Sequence, residues 1–178
     1  VTGNLWTTPH PPTGRSQADE RHRRLDELAD QVEADVIDWR HDIHQHPELS
    51  NRETRTAAKI ADHLTSLGLE VHTDIAPTGV IGILRGDLDG DRVIALRADI
   101  DALPVEETVD VPFKSTVVDE DYPGGPFPVA HSCGHDAHTA MLMGAASVLT
   151  AMKSELAGTV LFVFQPAEEG PPVGEQFG

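Results

Sequence analysis

The feature that most limits what this chain can fold into is a change of hydrophobic period at Gly68. Before it, apolar residues recur at three- and four-residue steps: Leu25, Leu28, Ala29, Val32, Val36, Trp39 and Ile43, then Ala57, Ile60, Ala61, Leu64 and Leu67. That spacing lines one face of an α-helix. After it, Leu69, Val71, Thr73 and Ile75 alternate with polar residues, the period of a half-buried strand. Helix stripes followed by strand faces must bury one another, so a layered α/β domain is expected.

Punctuation sets the element boundaries. The first helix is expected to stop near His46, because Pro47 disfavours the helical conformation in the residue before it. Ser50 and Glu53 have the spacing of a capping box for the second helix, and Gly68 suits its C-terminal cap. Residues 80–84 and 93–98 read as two more strands, and Asp89-Gly90 between them predicts a hairpin. Residues 105–130 are irregular and rich in Pro and acid, which predicts a long loop. Residues 137–152 have a helical pattern, and 159–164 read as a buried strand. The first 17 residues lack periodicity and predict a flexible tail, leaving 18–178 as the folded portion. A buried strand so near the C-terminus would leave sheet faces and edges uncovered, so a fragment of a longer protein, or one half of a split one, is expected.

Bulk properties bound the rest. A chain of 178 residues can bury one core. The net charge of −17 repels phosphate backbones and anionic lipid, so neither nucleic acid nor membrane is an expected partner. No secretory pattern opens the sequence, and a cytoplasmic location is the default expectation. The single cysteine, Cys133, has no intrachain disulfide partner. It is therefore a packed small residue, a reactive thiol or a metal ligand.

Three clusters carry chemistry. In His131-Ser132-Cys133-Gly134-His135-Asp136-Ala137-His138, a Cys and a His two apart on an extended segment can reach one ion, with Gly134 offering no obstruction. The helix start nearby would favour thiolate, and Asp136 or another carboxylate could orient the imidazole. The spacing alone more often describes a packed residue beside a loop histidine. In Phe164-Gln165-Pro166-Ala167-Glu168-Glu169-Gly170, adjacent glutamates follow a buried strand and point in different directions. One can bind an ion while its neighbour serves as general base toward a water whose pKa the ion lowers. A solvated acidic loop has the same composition. Asp99 and Asp101, after the strand at 93–98, share a side and could support histidine ligands or hold a second cation. His131 and His138 are further supporting candidates. His10, His22, His41, His63 and His72 read as surface residues, His44 and His46 as helix caps, and Glu106-Glu107 as a solvated face.

Together and in this order, the clusters resemble the amidohydrolase branch of the M20 metallopeptidases, which includes aminoacylase-like, hippurate-hydrolase-like and indole-acetyl-amino-acid-hydrolase-like enzymes. The matching stretches are RHDIHQHPEL from residue 40, ALRADIDALPVEE from 95, HSCGHDAHTA from 131 and FQPAEEG from 164. The resemblance implies a layered α/β/α zinc-exopeptidase-like catalytic domain, present here as its N-terminal part, without the lid and dimerisation domain. It implies Cys133, His135 and Glu169 as metal ligands, Glu168 as general acid/base and Asp101 as the aspartate supporting the catalytic metal site. It implies manganese or zinc, often two ions, and further histidine ligands from later in the family's chain. The implied reaction is hydrolysis of N-acyl amino acids, amino-acid conjugates or small peptides, with a homodimer as the full-length form. A lone half-domain is a poor scaffold for placing an ion, so the 178-residue chain alone is expected to be inactive or nearly so. Two other readings stay open: a metal-binding or interaction module without activity, and a thiol hydrolase using Cys133. Residues 119–129 (DEDYPGGPFPV) are longer than the family's usual run and either reshape the pocket mouth or form a neutral insertion.

Overall fold

The computed structural model describes residues 16–178. Of the tail expected over 1–17, residues 1–15, with His10 among them, lie outside the described residues. Ser16 instead caps helix α1 (Gln17–Gln45). Its hydroxyl accepts from the Asp19 N–H at 3.2 Å, and the Asp19 carboxylate accepts from the Ser16 N–H at 3.0 Å, a reciprocal capping box. Pro47 follows the helix end as expected.

Helix α2 (Thr54–Ser66) is where the sequence pattern misleads. The Ser50/Glu53 capping box does not form. The carboxylate of Glu48 caps instead, accepting from the backbone N–H of Arg55 at 2.9 Å and of Thr56 at 2.8 Å. Ser50 and Glu53 are thereby released to face inward. At the other end Gly68, at φ +78, donates to Thr65 O while Leu69 N donates to Leu64 O. That is the Schellman arrangement, and it needs the left-handed conformation glycine allows.

Strands β1 (Glu70–Ile75) and β2 (Gly79–Arg85) form an antiparallel hairpin. Strand β3 (Leu88–Asp99) does not pair with β2, so the hairpin predicted at Asp89-Gly90 is absent. Between them lies β6 (Ala157–Gln165), antiparallel to β2 and parallel to β3, in the sheet order β1-β2-β6-β3. Helix α3 (His135–Ala151) supplies the crossover from β3 to β6, and a parallel pair needs such a connection. The 105–130 segment is mostly irregular, with one short ladder of β4 (Val118–Asp119) and β5 (Phe127–Pro128).

The architecture is mixed α/β. Val80 and Leu84 of β2, Phe162 and Phe164 of β6, and Ala98 of β3 are buried under Ile60 and Leu64 of α2 and Leu142, Met143 and Ala146 of α3. Helix α1 lies over α3. Of the expected three layers, the described residues thus supply the sheet and one helical side. A second small cluster of Leu49, Ala102 and Val129, with Tyr122 and Phe127 packed on it, pins the long loop to the sheet's carboxyl end. The stretch 119–129 is therefore docked through these two rings.

Candidate metal centre

Because β3 and β6 run parallel, their carboxyl ends meet: Asp99 is paired with Gln165. Ligands bind in α/β sheets at such ends. The start of α3 is tied to the same place, where the Thr139 hydroxyl donates to Asp99 O at 3.0 Å. Gly134 caps α3 at φ +143, a backbone shape residues with side chains rarely adopt. It turns the chain so that Cys133 and His135 face one point.

One sulfur, ring-nitrogen or carboxylate-oxygen atom from each of Cys133, His135 and Glu169 lies within 4.8 Å of the others. Asp99, His135 and His138 form a second such group. His135 is buried at the join. Its Nδ1 lies 2.9 Å from Asp101 O and 3.3 Å from Asp101 Oδ1. Its Nε2 faces Asp99 Oδ1 at 3.4 Å, and Glu168 Oε2 and Glu169 Oε1 at 3.7 Å each. With the Nδ1 proton given to Asp101, the Nε2 lone pair is left for the cluster, the tautomer a metal ligand uses.

Asp101 organises this group. Its Oδ2 accepts from the Ser50 hydroxyl at 2.7 Å and from the Glu169 N–H at 2.9 Å. Burial pushes its carboxyl up, but the nearby His135 ring, the Glu169 and Glu168 amides and the Ser50 hydroxyl outweigh this and hold it below the usual range. Burial likewise disfavours protonated His135, yet Asp101 and Asp99 raise its pKa. The Cys133 thiol is pushed up, first by the adjacent Glu169 carboxylate, then by desolvation and by the charges of Asp99 and Glu168. The expected thiolate-favouring effect of the helix start is overridden by these carboxylates. Glu169 Oε1 and Asp101 Oδ1 are buried and accept no hydrogen bond among the described residues. An oxygen of that kind costs free energy unless a proton donor or a cation satisfies it. Clustered carboxylates, an imidazole nitrogen and a sulfur fit a divalent cation.

Of the remaining candidates, His138 joins the cluster and the rest fall elsewhere. Asp136 does not orient His135. It is buried behind the site and accepts from Arg40 Nε and His44 Nδ1, both at 2.8 Å. His44 is not a cap: its Nε2 meets Glu107 Oε1 at 3.0 Å. Glu107 is not solvated either, with its side chain only 8% exposed and its Oε2 accepting from Ser115 N. His46 does cap α1, bonding to Asp42 O at 2.8 Å. His131 is buried with neither ring nitrogen hydrogen-bonded among the described residues, and burial drops its pKa to about 4. His138 Nδ1 meets Asp99 Oδ1 at 2.7 Å. His63 is half-buried against Trp39 and bonds Met143 O. Sequence reasoning missed Ser50, Glu53, Glu107 and His44 as parts of this region. Buried partners far along the chain give such residues no spacing signal.

Residues 95–177 match peptidase family M20/M25/M40. A solved structure from Bacillus subtilis, titled a dinuclear metal-binding peptidase of the M20 family, is 42% identical, superposes with a TM-score of 0.67, and covers 81% of this chain and 36% of its own. The chain belongs to the M20 family. Among curated relatives, an N-acyl-L-amino acid amidohydrolase of Geobacillus stearothermophilus is 42% identical over 149 residues, covering 84% of this chain and 38% of that protein. A thermostable carboxypeptidase of Saccharolobus solfataricus is 45% identical over 145 residues, covering 81% and 34% respectively. This M20 chain thus spans about a third of the length of the curated relatives it matches.

Proposed function

We propose that this M20 chain contributes the metal centre of a hydrolase that cleaves linear amides in N-acyl amino acids, amino-acid conjugates or small peptides. The observation that carries the reading is the convergence of Cys133, His135 and Glu169 within 4.8 Å, with a buried Glu169 oxygen accepting no hydrogen bond among the described residues. These three would hold the ion, zinc or manganese by donor type. Asp99 and His138 stand beside His135 for a second one. A divalent cation there supplies Lewis acidity and lowers the pKa of water.

The chain's own groups do the rest. Asp101 fixes the tautomer of His135 and holds the Glu169 amide. Glu168, 42% exposed beside a buried neighbourhood, reaches the open side, where it takes a proton from the attacking water and returns it to the leaving amine. A thiol nucleophile at Cys133 would leave the adjacent Glu168 and Glu169 beside His135 without a role. The relatives named for N-acyl amino acids and for carboxypeptidase action support a substrate with a free carboxylate beside the scissile amide.

The test is elemental analysis of the protein carrying this chain, with a panel of N-acyl amino acids assayed before and after chelation. Bound transition metal, chelator-sensitive hydrolysis, and a Glu168→Ala variant that keeps metal but loses turnover are expected. Full hydrolysis by metal-free protein would overturn the reading.

A further inference from the structure

Glu53 is fully buried, yet no capping bond uses its side chain. Its Oε1 accepts from the backbone N–H of Ala167 at 2.8 Å, and its Oε2 accepts from the Thr78 hydroxyl at 2.6 Å. Ala167 is itself fully buried and sits at φ +51, a left-handed conformation that an alanine keeps only where its surroundings hold it. Two residues on, the Glu169 N–H is held by Asp101 at 2.9 Å. The turn that presents Glu168 is thus gripped at both ends by buried carboxylates, one from before α2 and one from after β3. Thr78, in the β1–β2 turn, fixes the outer grip. There the chain passes so close that a side chain on Gly79 would strike Ile75 O at 2.5 Å and the Pro166 ring at 3.0 Å.

We propose that Glu53 is a positioning residue that holds the Ala167 amide, and so sets where Glu168 and Glu169 point toward His135. Its effect on an ion rests on the metal-centre reading above; its hold on the turn does not. A carboxylate at this place is otherwise costly to bury, since burial pushes its pKa up. An apolar residue of the same size would leave the buried Ala167 amide and the Thr78 hydroxyl without their acceptor.

The experiment uses the protein carrying this chain, with Glu53→Ala, Glu53→Gln and Thr78→Val. Two readouts are taken: amide hydrogen exchange by mass spectrometry, and zinc or manganese affinity by calorimetric titration. Glu53→Ala is expected to speed exchange at residues 167–169 while α2 and the sheet stay protected, and to weaken metal binding about 10–100-fold, as losses of supporting groups around metal ligands do. Glu53→Gln, whose amide oxygen can still accept from Ala167, is expected to keep both within about threefold of wild type. Unchanged exchange at 167–169 in Glu53→Ala overturns the proposal. If Glu53→Ala loosens the whole fold, Thr78→Val decides. Faster exchange confined to 167–169 supports the positioning role, and wild-type exchange there overturns it. If the wild type binds no metal, the function reading fails while the exchange data still judge Glu53.

Discussion

The Glu169 N–H donates to Asp101 Oδ2 at 2.9 Å, across 68 residues of sequence. The same carboxylate accepts from Ser50 and sits beside His135 Nδ1. One side chain therefore couples three segments of the candidate centre: the α1–α2 connection, the end of β6 and the start of α3.

Removing that side chain tests the coupling. Asp101→Ala should weaken zinc or manganese binding about 10–100-fold, the range for lost support around ligands. Asp101→Asn should cost less, because its amide oxygen still accepts from Glu169. Calorimetric titration of metal-free protein checks both. Equal affinities for wild type and Asp101→Ala would refute the supporting role.

Behind the site, His44 bridges Asp136 and Glu107, and all three side chains are at most 8% exposed. His44→Ala would leave two buried carboxylates short of a partner. A loss of roughly 2–4 kcal/mol in urea unfolding is expected, since stranded buried charges are among the costly defects. A change below about 0.5 kcal/mol, the level of an ordinary surface substitution, would show that the network contributes little.

Helix α1 approaches α3 over a glycine. A side chain at Gly144 would lie 2.6 Å from Val36 Cγ2, and Val36 is stiff because it is branched at Cβ. Gly144→Ala should destabilise by about 1–3 kcal/mol through overpacking. Adding Val36→Ala should restore part of that, giving a favourable coupling in the double-mutant cycle. Additive losses would mean that the two residues do not share the contact.

Asp42 provides an acid-sensitive contact away from the centre. Burial pushes its carboxyl up, but Arg55 and Lys59 outweigh this and lower it from 3.8 to about 2. The folded state thus favours the charged form, so the contribution is fully present above pH ~4 and fades as pH falls toward ~2. Discounted for solvent screening, it is worth about 1 kcal/mol. Asp42→Asn should be less stable than wild type by that amount at pH 7, with the gap closing through this acid window in urea titrations.

By itself the sequence determined the local elements. Its switch of period at Gly68, the Pro47 stop and the Gly68 cap are short-range effects, decided by residues within a turn of one another, and the helices and strands follow them. It also brought Cys133, His135, Glu168, Glu169, Asp99 and Asp101 forward, because their types and order carry chemistry whatever surrounds them. Only the tertiary structure decided which strands are neighbours. The Asp89-Gly90 turn signal was overridden because inserting β6 between β2 and β3 buries Phe162 and Phe164 under α2 and α3. The same holds for Ser50, Glu53, His44 and Glu107. A capping box and a buried clamp have the same local spelling. Which one forms depends on whether a better cap, here Glu48, frees the carboxylate to meet a backbone amide 114 residues away.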